Sequence, residues 1–360
     1  MIKRLPPIIF ICSLFVCLSF ARAEPFNNIQ DNQSRSEIAF IRRDSQGDSL
    51  LIMDPATKSE KIIASYLNSR IVGLPLWSPD CKFLILDLID DKNNKGITRA
   101  NIEVTTNSEN IPTYSSKLAA WFPKWSPDGQ KLLFQAFDWS EGLRNTDVYT
   151  FDINTGEISN LTRSAEPEYN PVWSPDGQNI LFASIRNGHS EIYQIDSDGS
   201  NLQLIYADPM HDAFTPIYSP DGKSVIFALS IKEKVTVKLI EEDKSIRDLF
   251  SETDGSINYV AWSPDGKYFT IGVTRPKGNA QFDLIDIKTN TIREFMIGET
   301  TSLLLFSWSP DNSQIAFQSN KTGNNEIYTL AINSGVMTQL THSGQDNLFP
   351  SWSPPSCLTN

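Results

Sequence analysis

Histidine is scarce in this chain: His189, His211 and His342 are the three among 360 residues. That scarcity argues against a histidine-rich metal centre, which needs several imidazoles converging on one ion. Positive charge is also in deficit, with 31 Lys and Arg against 43 Asp and Glu and a formal net charge of -12. A surface of that sign repels phosphate, so nucleic acid is not an expected partner. There are four cysteines, and two of them, Cys12 and Cys17, lie near the N-terminus. A fold dependent on many disulfides is thereby excluded. Also missing are the G-x-S-x-G elbow, the P-loop, the dinucleotide fingerprint and H-E-x-x-H. No window sustains a helical apolar period.

One apolar run stands apart, Ile8 to Phe20, behind Lys3 and Arg4 and ahead of Ala21 and Ala23. This is the layout of a cleavable export signal over residues 1–23. The run is shorter than the roughly 20 residues of a bilayer span. The expectation is a periplasmic or secreted protein, beginning at Glu24, with no stable membrane insertion after cleavage.

What is abundant is one short motif. Trp-Ser-Pro-Asp or a close variant starts at Trp77, Trp125, Trp173, Tyr218, Trp262 and Trp308, and a broken copy starts at Trp352. The steps between aromatics are 48, 48, 45, 44, 46 and 44 residues, the size of a four-stranded propeller blade. After each turn come short β-branched and aromatic segments such as ILFAS (180–184) and EIYQID (191–196). The aromatics are expected to wedge between blades. Pro sets φ in the turn, and Asp80, Asp128, Asp176, Asp221, Asp265 and Asp311 accept amide hydrogen bonds within it. Turn closure explains these six aspartates better than a ring of metal ligands.

Strand-like material at EIAFIRR (37–43), SLLIMD (49–54) and KSEKII (58–63) precedes the first marker, and NLFPSWSP (347–354) ends the series. Together they make one blade from both termini. The expected fold is all-β, a seven-bladed β-propeller of four-stranded antiparallel blades closed by that composite blade, with six blades as the alternative. Residues 24–35 form a short extension, 36–355 the propeller and 356–360 a tail. Closure places Cys81 and Cys357 on equivalent turns of adjacent blades, where a disulfide would clip the end of the chain. Charged insertions at 87–99 and 136–147 elaborate one face.

The run [Trp/Tyr]-Ser-Pro-Asp-Gly, then IxF, Glu-Ile-Tyr and Leu-Thr, resembles the propeller repeats of the TolB family over about residues 37–355. The closest stretches are 183–205 and 319–341. The resemblance implies a periplasmic, protein-binding module of the Tol-Pal envelope system. This chain departs from the pattern in two ways: it lacks the preceding α/β domain, and it has seven expected blades where the family pattern has six. Prolyl-oligopeptidase-type peptidases carry related propellers but join them to a hydrolase domain, for which no segment is expected here.

Candidate binding residues are those just ahead of the aromatics, where inner strands begin: Trp121, Phe122, Tyr169, Asn170, Phe214, Asn258, Tyr259 and Phe349. His211, Asp212, His342 and Asp346 lie on loops approaching the channel mouth, and Glu166 and Glu168 add to its acidity. His189 reads as a solvated loop residue. No catalytic residue, metal or cofactor is expected. The reading is a non-catalytic scaffold with a protein partner in the cell envelope. The alternatives are a propeller binding cell-wall or carbohydrate ligands, and a metal-dependent lyase or hydrolase at the channel mouth. A basic peptide or a saccharide would suit an acidic, aromatic mouth.

Overall fold

The computed structural model describes residues 36–358 apart from 93–94, 103–107, 111–117, 139–144, 232–233, 254, 277–278 and 300–303. The expected signal and extension lie outside the described residues, as do the middle of the second insertion and the last two residues. The strands form seven antiparallel sheets, and the second strands Asn179–Ser184, Val225–Ile231 and Tyr268–Thr274 are buried along nearly their whole length, because each blade is covered on both faces by its neighbours.

Blade 1 comprises a split inner strand, Ser69–Ile71 and Leu76–Trp77, followed by Phe83–Asp90, Lys95–Asn101 and Ser108–Asn110. Blade 2 runs Leu118–Trp125, Lys131–Asp138, Thr146–Asp152 and Ile158–Asn160, and blade 3 Glu168–Trp173, Asn179–Ser184, Glu191–Asp196 and Gln203–Tyr206. Blade 4 runs Asp212–Tyr218, Val225–Ile231, Lys234–Ile240 and Ile246–Glu252, and blade 5 Ser256–Trp262, Tyr268–Thr274, Asn279–Asp286 and Ile292–Glu299. Blade 6 is Phe306–Trp308, Gln314–Thr322, Asn324–Ala331 and Met337–Gln339. In blade 7 the C-terminal Asp346–Trp352 is the inner strand, and Ile38–Arg43, Gly47–Met53 and Glu60–Leu67 complete it. The ring therefore closes through a sheet shared by both ends of the described chain, which leaves no open blade face.

The motif residues hold the repeat together. In each complete copy the Ser hydroxyl donates to the Asp carboxylate at 2.5–2.6 Å, as in Ser78–Asp80, Ser126–Asp128 and Ser174–Asp176. The same Ser oxygen accepts the amide five residues on, so the turn is closed from both sides. Gly129 and Gly177 take φ of +70°, and a Cβ there would meet the Pro ring of the preceding blade's turn, Pro79 and Pro127, at 3.5 Å. The Trp markers are buried. Trp125 Nε1 donates to the Leu76 carbonyl at 3.2 Å, and Trp77 Nε1 to Ser351 at 3.1 Å, the second bond crossing the terminal junction. Tyr218, the one substitute, is less buried and donates its hydroxyl to Gln194 at 2.9 Å.

Cys81 and Cys357 are joined by a disulfide with Cα atoms 5.6 Å apart. It ties the short 3₁₀ turn Pro355–Leu358 to the first turn of blade 1. The insertion at 87–99 differs from its reading as a loop. Its apolar alternation, Leu86 and Leu88 around Asp87, carries the second strand on to Asp90, and pairing resumes with Ile89 opposite Lys95.

Candidate ligand site at the seam of blades 1 and 2

Each inner strand starts on the face where second and third strands are connected and ends at the Ser-Pro-Asp turn on the opposite face. Partway along, it carries an irregularity. Phe122, Asn170, Thr215 and Phe349, each three residues before the marker, have φ of 58°, 52°, 55° and 57°, and each precedes a proline. Side chains rarely tolerate this conformation, and β-bulges that adopt it re-aim neighbouring groups. The strand pairing slips at the same place in blades 2, 3, 4 and 7.

In three of these four bulges the amide is accepted by a side chain of the preceding blade. Gln135 accepts from Asn170 at 2.8 Å, and Gln318 accepts from Phe349 at 2.7 Å. The equivalent acceptor for Phe122 is Asp87, through Oδ2 at 3.1 Å. Strand register aligns Asp87, Gln135 and Gln318 at one blade position, occupied elsewhere by Ala183, Ala228, Gly272 and Ile41. Asp87 is thus the one charged group at a position whose structural task a neutral amide performs.

A second exception sits beside it. Asp147, Glu191 and Glu326 begin the third strands of blades 2, 3 and 6 and are tied down by Asn160, Tyr193 and Asn347 respectively. Register puts Gly96 at this position in blade 1, opposite Leu88. With no side chain there and the inner strand split around Gly73, a cavity of about 210 Å³ opens at the seam. Val72, Asp87, Leu88, Lys95, Trp121 and Phe122 are among its walls. Trp121 is propped by Phe137 with ring centroids 5.5 Å apart, and Lys95 Nζ stands 5.5 Å from its ring.

Oδ1 of Asp87 is buried with no hydrogen-bond partner. Burial pushes its carboxyl up to about 7, against the Phe122 amide, Lys124 and Lys95, which pull it down. Lys124, 6% exposed, borders the narrow space between the inner strands of blades 2, 3 and 4, together with Phe122, Asn170 and Thr215. A carboxyl pushed up to about 7 in the wall of an aromatic-lined cavity, with lysines at hand, changes the charge that a ligand meets there as pH crosses neutrality.

Of the sequence-chosen residues, Trp121 and Phe122 line this cavity. Asn170 lies on the neighbouring channel side, and Phe349 forms the equivalent bulge in blade 7. Tyr259 and Phe214 are buried in the core instead, Tyr259 edge-on to Phe306. Tyr169 packs partly buried beside the blade 3–4 core, and Asn258 accepts from the Thr274 hydroxyl. Asp212 accepts the Ser190 amide, with His189 Nδ1 3.5 Å from the same oxygen. His211 pairs locally with Asp208, Asp346 accepts from Asn325, and His342 is exposed. Glu168 is fully buried and bonded to Arg186, with its pKa raised mainly by burial. The histidines are therefore engaged at separate places, and among the described residues no group of three or more His, Cys, Asp or Glu is arranged to hold a metal. Asp87, Lys95, Gly96 and Lys124 escaped the sequence reading. The signal for Asp87 and Gly96 was a charge where the other blades carry neutral residues and a glycine where the others carry polar side chains.

The TolB beta propeller domain family model matches residues 35–255 and 195–357. Curated protein sequences give no match. Among solved structures, TolB of Acinetobacter baumannii is 18% identical, with 88% of this chain and 82% of that one covered and a TM-score of 0.52. An oligogalacturonate lyase from Vibrio parahaemolyticus is 12% identical, covering 82% and 92%, with a TM-score of 0.64. The periplasmic gluconolactonase of Pseudomonas aeruginosa is 15% identical, covering 88% and 98%, with a TM-score of 0.60. At such identities the likeness is one of fold. It corrects the expectation of a chain without catalysis: the two enzymes superpose with higher scores than TolB does, so this architecture gives no ground for excluding an enzyme.

Proposed function

Because this chain belongs to the TolB beta propeller domain family, whose fold serves scaffolds and enzymes alike, we propose that it is an exported envelope protein holding a small saccharide-class ligand between blades 1 and 2. The observation that carries this reading is the cavity of about 210 Å³ at the seam, lined by Asp87, Lys95, Trp121 and Phe122. Aromatic faces suit the apolar side of a sugar ring. Export is supported by the leader-like residues 1–23 and by the Cys81–Cys357 bond, which persists in oxidising compartments. Among the described residues no helix is long and apolar enough to cross a membrane.

Calorimetric titration with a panel of monosaccharides tests the reading. One site per chain is expected, and Trp121→Ala should weaken it by about 2 kcal/mol, roughly thirtyfold. Affinity unchanged by that substitution would remove the cavity from the account. A protein partner in the envelope is the second reading. It is favoured by family membership and by apolar side chains exposed on outer strands, Leu204, Ile292 and Met296. A stoichiometric partner retained by the Trp121→Ala chain would distinguish that surface from the cavity.

A further inference from the structure

Resting on the ligand reading above, we infer that the seam cavity selects an acidic sugar, its carboxylate held against Lys95, beside the Asp87 side chain in the cavity wall. Three observations converge on this class. Lys95 is exposed on its strand, yet its ammonium leans over Trp121 at the cavity wall, 5.5 Å from the ring centroid. It is there to meet an incoming anion, and a charge-assisted hydrogen bond is about twice as strong as a neutral one. Lys124 adds positive potential from the inner strand of blade 2. Asp87 replaces the neutral Gln of blades 2 and 6, so an ionisable group stands where the fold requires only an acceptor.

Asp87 also gives the site a dependence on pH. The charged groups that act on it are Lys95 from the third strand of blade 1 and Lys124 from blade 2. Its carboxyl, pushed up to about 7, is neutral in mildly acidic solution. Above neutrality it becomes an anion and repels the ligand carboxylate. An acidic sugar should accordingly bind more tightly at pH 6 than at pH 8.

Calorimetry with glucuronate, glucose and glucosamine, at pH 6 and pH 8, decides the matter. Glucuronate is expected to bind about tenfold tighter than glucose at pH 6, with the preference shrinking at pH 8. Lys95→Met should reduce glucuronate to the affinity of glucose. Asp87→Asn should bind glucuronate at pH 8 as the unsubstituted chain does at pH 6. Glucose or glucosamine binding as tightly as glucuronate at pH 6 would overturn the acidic-sugar inference while leaving the ligand reading in place. No binding of any of the three would overturn both.

Discussion

A chain ending at Gln345 should lose its cooperative thermal transition. The missing strand, Asp346–Trp352, is the inner strand of blade 7 and pairs with Ile38–Arg43 from the other end of the chain. With it go Leu348, 6% exposed, and Trp352, 4% exposed. Removing side chains of this kind from a core costs about 2–5 kcal/mol each, so the pair alone approaches the 5–15 kcal/mol that holds a domain folded. The Trp77–Ser351 bond, the Phe349–Gln318 bond and the disulfide are lost as well. In a ring each blade rests on its neighbours, so two exposed blade faces weaken all the others. Calorimetry should show a broad, low-enthalpy melt. Removing only the clip, by Cys357→Ser, should cost less than losing the strand, at most about 5–6 kcal/mol for cysteines 276 residues apart in sequence, and keep a single sharp transition. A truncated chain melting as sharply, and at the same temperature, as the whole one would show that the junction of the termini does not close the ring.

Asp87→Asn should stabilise the protein in alkaline solution while leaving it unchanged near pH 4. The folded carboxyl titrates at about 7 and its ordinary value is 3.8. The folded state therefore holds a proton that the unfolded state releases, and stability falls as pH rises from about 4 to about 7, then levels. The full difference corresponds to about 4 kcal/mol, less whatever solvent reaches this partly exposed side chain, so a gain of roughly 2–4 kcal/mol at pH 8 is expected. The asparagine oxygen still accepts the Phe122 amide, which keeps the bulge intact. Asp283, pushed by burial up to about 6, contributes a slope of the same sign below that pH. The window that isolates Asp87 is therefore about pH 7 to 8, above the titration of Asp283, where denaturant titrations of the substituted chain should be nearly flat. A slope that persists there would mean that Asp87 is ionised in the fold like any surface carboxylate. Stability given up at a single group inside a cavity is the usual mark of a site kept for function.

The ring was legible because its determinants are local and repeated. Each Trp-Ser-Pro-Asp turn is closed by bonds within six residues, and the aromatic that follows the inner strand is large enough to mark the blade wherever it occurs. The pairing of Phe40 with the segment around Phe349 could be inferred from the strands left over at each end. The site was less legible for a physical reason. Asp87 lies in DLIDDKNNKGITR, whose charges resemble a solvated loop, and only the pairing of Ile89 with Lys95 makes that stretch a hairpin. Gly96 announces itself by what it lacks, a carboxylate present at Asp147, Glu191 and Glu326, and that absence acquires meaning once the strands are in register. Phe214, opposite Ala228, and Tyr259, opposite Gly272, share the register position of Trp121, opposite Gln135, yet both are buried, Tyr259 edge-on to Phe306, so exposure there depends on what the neighbouring strands supply.

Hydrogen exchange with and without a saturating acidic sugar locates the site without assuming any one residue's role. Added protection should be confined to the stretches 83–98 and 118–125, with the Phe122 amide among the most affected. Protection spread over the outer strands, or centred on blades 3 to 6, would contradict the assignment of ligand binding to the seam between blades 1 and 2.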